Sequence, residues 1–61
     1  MNMFIRNSSA KELNVRIVKK ADLSEVYANK IPAGRTIEIK NINNEAYILY
    51  YKNVNATEWR T

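Results

Sequence analysis

The side chains with which this chain could do chemistry are six carboxylates, Glu12, Asp22, Glu25, Glu38, Glu45 and Glu58, together with ten Lys and Arg and a few hydroxyls. There is no His and no Cys. That removes the imidazole that titrates near neutral pH, the thiolate nucleophile and most transition-metal ligation. The acids follow no calcium-loop spacing, and only Asp22 and Glu25 lie close together. Their spacing suits a solvated turn or a helix start. Hydrolysis by paired carboxylates needs two acids across a cleft, one with a raised pKa, and Glu38 sits between Ile37 and Ile39 pointing away from them to water. Ser8, Ser9 and Ser24 have no imidazole to activate them, and no motif sets a Lys or Glu in its place. One glycine in the whole chain cannot build a phosphate-cradling loop. The expectation is a protein that is not an enzyme and that takes no cofactor and no metal.

The remaining chemistry is that of contact. Lys and Arg exceed Asp and Glu to give a net charge of +4, with a pI near 9.6, which favours an anionic partner: an acidic protein surface or nucleic acid. The cations are spread along the chain, and only Lys19 and Lys20 adjoin. Four Tyr, one Trp and one Phe beside them are raw material for base stacking as well as for protein contacts. However, no interleaving of Gly with aromatics marks a single-strand binder.

These residues have to be positioned by a very small scaffold. Sixty-one residues make one domain, 1–61, without the disulfides or Cys-held zinc that brace many proteins of this size. Met3-Phe4-Ile5-Arg6 reads as a short strand ended by Asn7-Ser8-Ser9, and Leu13 to Ile17 alternates strictly, as a half-buried strand does. Between 22 and 30 two periods compete. Asp22 with Glu25 imitates a helix capping box, while Val26 and Ala28 alternate with polar neighbours. A strand at 24–29 is preferred to a short helix over 22–30, because it completes a hairpin with 13–19 through Lys20 to Leu23. Ile31-Pro32-Ala33-Gly34 predicts a type I turn with Pro at its second position and Gly at its fourth. Beyond it, Arg35 to Ile42 and Glu45 to Lys52 predict a hairpin closed on Asn43-Asn44, and Ala56 to Arg60 a final strand carrying Trp59. The fold class expected is all-β, a small antiparallel sandwich or barrel of five to six short strands.

Closing that hairpin on the two asparagines sets Ile39 against Ile48, Ile37 against Tyr50 and Lys40 against Tyr47. Ile37, Ile39, Ala46, Ile48 and Tyr50 then share a core face, and Tyr47, Leu49 and Tyr51 share the other. So small a chain can scarcely cover both faces. Tyr47, Leu49 and Tyr51 with Lys40, and Trp59 near the C-terminus, are therefore the candidate partner-binding residues.

The function expected from the residues is that of a protein–protein interaction module. Its partner is another protein or further copies of itself, met through an acidic surface. A nucleic-acid-binding small β-barrel is the alternative. Nine Asn, seven Ile, six Lys and four Tyr are amino acids of A/T-rich codons. This suggests a phage or a low-GC bacterium as the source, and within it a virion or assembly component or an inhibitor of a host protein. No apolar run approaches the roughly 20 residues that span a bilayer, and the N-terminus lacks a signal peptide's apolar core. A cytoplasmic location is expected.

Overall fold

The computed structural model describes residues 1–61. Five strands follow in chain order: β1 (Met3–Arg6), β2 (Leu13–Lys19), β3 (Glu25–Ile31), β4 (Thr36–Ile39) and β5 (Tyr47–Asn53). They form two antiparallel sheets, one of two strands ordered β1-β4 and one of three ordered β3-β2-β5. There is no helix, and so none long and apolar enough to cross a membrane. The segment 22–30 is a strand from Glu25 onward, completing the expected hairpin with β2, and not the alternative short helix.

β2 is the central strand, and it holds three of the buried hydrophobic residues, Val15, Ile17 and Val18. Its odd positions, Leu13, Val15 and Ile17, face the two-stranded sheet, where Met3, Ile5, Ile37 and Ile39 meet them together with Ile31. Ile5 lies opposite Ile37 and Met3 opposite Ile39, so that these two of the small sheet's four cross-strand pairs each offer two apolar groups to the layer below. Ile17 is only 1% exposed. The hairpin from β2 to β3 closes through residues 20–23, with Leu23 in the left-handed region at φ 62°. Asp22 does not cap a helix there. Its carboxylate accepts from the backbone N–H of Ser24 at 3.0 Å and from the Ser24 hydroxyl at 2.8 Å, and these two bonds hold its pKa below the ordinary 3.8. A bulge between Ile17 and Val18 in the pairing lets Val26 and Tyr27 both pack against the core.

Three expectations are corrected. The hairpin on Asn43-Asn44 does not form: β4 pairs with β1, and β5 pairs with β2 over seven positions from Leu13↔Asn53 to Lys19↔Tyr47. Two adjacent asparagines favour a tight turn locally, but β2 offers β5 a longer and more apolar neighbour than β4 does. Residues 40–46 instead carry the chain from one layer to the other. The turn after β3 is also shifted by one residue. Arg35 N–H donates to Pro32 C=O at 3.2 Å, so that Gly34, at φ 73°, takes the third position, where a type II turn demands a positive φ. A Cβ on Gly34 would meet nothing within 4 Å, so glycine serves the backbone there and not the space. Finally, residues 56–60 make no strand. A single bridge pairs Arg60 with Tyr51 through two backbone hydrogen bonds of 2.9 and 2.8 Å.

One polar residue belongs to the small buried set. Asn7 is 2% exposed and uses its whole hydrogen-bonding capacity. Its Nδ2 donates to the carbonyls of Ile31 and Lys11, both at 2.8 Å, and its Oδ1 accepts from the Ser9 N–H at 3.0 Å and the Ser9 hydroxyl at 2.6 Å. Its backbone N–H donates to Arg35 C=O and its carbonyl accepts from Gly34 N–H. The end of β1, the loop into β2, the end of β3 and the turn into β4 thus meet at one side chain. Replacing Asn7 by Ala strands the buried Ile31 carbonyl and is expected to cost about 2–3 kcal/mol. Asn7→Asp keeps the shape but sets a carboxylate oxygen against two carbonyls. It is expected to cost more than Asn7→Ala at neutral pH, in urea melts of the two variants beside the wild type.

Candidate contact surface

Two strands cannot roof three. The β1-β4 layer lies over β2 and β3, and the part of the larger sheet's inner face that belongs to β5 is left open. Because β5 runs beside β2 with Leu49 opposite Ile17 and Tyr51 opposite Val15, the side chains of Tyr47, Leu49 and Tyr51 lie on the inner face and not on the outer one. The partition made from the expected hairpin is therefore reversed for this strand. Ile48 and Tyr50 point outward, where Ile48 lies opposite the buried Val18 and Tyr50 opposite Arg16. Leu49 stays 41% exposed and Tyr51 36% exposed, although their partners on β2 are almost fully buried.

Beside them runs a cleft of about 290 Å³ floored by Leu13, Val15 and Ile31, with Ile5 on one wall and Leu49 and Tyr51 on the other. Residues 6–9 close one end, and they bring Arg6 and two serines but no carboxylate. Glu58 lines a separate depression that shares Ser9, Leu13 and Tyr51 with the cleft.

The candidate residues are only partly brought together. Tyr47 shares a face with Leu49 and Tyr51, but it packs against the core and its hydroxyl donates to Asn43 C=O at 2.8 Å. Lys40 and Tyr47 line one shallow depression at the end of the sandwich with Lys19 and Ile39, without β4 and β5 being paired. Trp59 stands elsewhere. Since Arg60 is the residue bridged to Tyr51, Trp59 projects to the outer face, where the Lys52 ammonium lies 5.3 Å from its ring centroid. Ile5, Leu13 and Arg6, which border the cleft, were not among the candidates. Their alternation identified them as strand residues, but nothing local placed them beside β5.

Several of the groups that could do chemistry are engaged within the fold. Arg16 Nε donates to Glu25 at 2.8 Å, Asn2 donates to Glu38 at 3.0 Å, and Ser9 and Ser24 are bound to Asn7 and Asp22. No three His, Cys, Asp or Glu side chains gather as metal ligands would. Glu38 lies on β4, in the other sheet from Tyr47, Leu49 and Tyr51. A comparison with protein families, with curated proteins and with solved structures returns no match to this chain, so no residue acquires a role by likeness.

The two tyrosines of the inner face thus have different duties. Tyr47→Ala removes a side chain packed on the core and is expected to lower stability by about 2–3 kcal/mol, whereas Tyr51→Ala is expected to cost about 1 kcal/mol. Thermal melts of the two single variants read the difference, and equal losses would mean that both rings are structural.

Proposed function

We propose that the chain is a non-enzymatic interaction module that docks another protein on the open inner flank of its sandwich. One observation carries the reading: the apolar inner face of β5, with the cleft beside it, lacks the roof that the second layer gives to β2 and β3. The surface as a whole points the same way. Its 4538 Å² exceeds the roughly 4,100 Å² usual for a folded monomer of 7.1 kDa by about a tenth. The net charge of +4 favours an acidic partner. An accessory role in a phage or a low-GC bacterium, as an assembly component or an inhibitor, fits the size and the codon bias, and a cytoplasmic location goes with it.

A second reading has its own observation. The outer face of the three-stranded sheet sets Arg16 opposite Tyr50, with Lys52 on the same face of β5, Lys30 on the far strand and Trp59 under Lys52, and this is a stacking surface flanked by cations. Against it, Arg16 is paired with Glu25 and the Lys52 ammonium already occupies Trp59. Protein docking is therefore preferred.

Leu49→Lys separates the two readings, because a lysine stem can cover Ile17 as leucine does while its ammonium spoils an apolar contact. The melting temperature is expected to move by no more than a few degrees, and co-purification with the native partner to be lost. Retention on single-stranded DNA or RNA that falls steeply with salt, and that Leu49→Lys leaves unchanged, would favour the outer face instead.

A further inference from the structure

We infer that the flank is completed by an added strand: an extended segment of another protein, apolar on one face and acidic on the other, pairs with the free edge of β1 and lays its apolar side chains over Leu49 and Tyr51. The inference rests on the reading of this flank as a contact surface and names what fills it.

The backbone of β1 supplies the first half of the case. In an antiparallel ladder the residues alternate between those that bond to the neighbouring strand and those that turn their N–H and C=O away. Asn7 bonds to the β4 side, with its N–H on Arg35 and its carbonyl accepting from Gly34, so the odd residues of β1 face β4. The N–H and C=O groups of Phe4 and Arg6 then point to the other edge, where no strand lies. That edge borders the cleft. Ile5 forms its wall, no residue of β4 lines it, and Leu49 and Tyr51 face Ile5 across it. An unpaired edge beside an unroofed apolar strip is a template for strand addition, in which main-chain bonds give affinity and alternate side chains give specificity.

The chemistry of the segment follows from the two faces it would join. Its inward side chains would meet Leu13, Val15, Leu49 and Tyr51, all apolar or aromatic, in a cleft that contains no carboxylate. Its outward side chains would lie beside those of Phe4 and Arg6. Phe4 is 67% exposed on the outside of β1, and Arg6 is the cation at the rim. Glu38, opposite Phe4 on the neighbouring strand, is engaged by Asn2 at 3.0 Å, and Arg60, opposite Tyr51, shares its depression with Glu58, so that Arg6 is the cation the segment would meet. Period-two alternation of apolar with acidic residues over about four to six positions satisfies both faces along the length of β1. A second copy of this chain is a poorer occupant, since it would bring its own Arg6 and net charge of +4 to the same edge.

The test uses the whole chain made by chemical synthesis, and as probe a blocked octapeptide alternating Val and Glu, with a Val–Lys peptide as its counterpart. The Val–Glu peptide is expected to bind at least about tenfold more tightly than the Val–Lys peptide, with contacts by NMR to Leu49 and Tyr51. N-methylation of the Arg6 amide removes an edge donor that bonds to nothing within the chain. It is expected to leave the melting temperature unchanged and to weaken the peptide about tenfold. Binding lost in Leu49→Lys but kept after N-methylation would overturn strand addition while leaving the flank a contact surface. Binding unaffected by either change, or absent at millimolar peptide, would overturn the strand and its chemistry. If in addition Leu49→Lys leaves co-purification with the native partner intact, the contact surface falls too. A concentration-dependent dimer abolished by N-methylation would replace the partner segment with a second copy.

Discussion

Five strands divided two against three cannot close a sandwich, because the smaller layer runs out before the larger one is covered. Everything else in the molecule follows from where that shortfall lies. β2 sits in the middle of its sheet and beneath the small layer, so Val15 and Ile17 are buried from both sides and Ile17 is almost sealed. β5 sits at the margin, and residues of the same type on the same face remain wet. With so few fully buried side chains, hydrophobic burial holds the layers together only thinly, and a directional polar joint supplements it. Asn7 provides that joint at the point where both layers, the first loop and the Gly34 turn converge. Its network is fully satisfied, and no buried side-chain polar atom in the chain lacks a partner.

The strands themselves were legible. Alternation over Leu13 to Ile17 and over Arg35 to Ile39, and the apolar character of Tyr47 to Tyr51, are properties of neighbouring residues, and a period of two survives whatever the strand later pairs with. Partners are another matter. Asn43-Asn44 presents a local turn signal, while the preference of β5 for β2 comes from residues 28 to 40 positions away, whose joint burial no local window contains. A turn at the Pro-Gly segment was legible but not its position, because Pro is tolerated at more than one turn position whereas the positive φ of Gly34 fixes where the bend lies.

The candidate surface was legible to the same depth. Tyr47, Leu49 and Tyr51 share a face in any register, since their spacing alone decides it. Which way that face looks depended on the pairing, and so did the separation of Tyr47, packed on the core, from the two residues left open. Lys40 and Trp59 were joined to them by a hairpin and a sixth strand that do not form. Asn7 carried a faint signal, an Asn followed two residues later by Ser, which is a common turn sequence. That it would be buried and would bind Ile31 across 24 residues could not be read from it.

The claim that one edge of the small layer stands open beside an unroofed strip is most directly tested by residue-resolved amide hydrogen exchange on the isolated chain. The amides of Val15, Ile17 and Ile5 are expected to exchange only through opening of the fold, while those of Phe4 and Arg6 exchange within about tenfold of an unstructured peptide. Protection of Phe4 and Arg6 comparable to that of Ile5 would mean that the β1 edge is already covered, and would contradict the account.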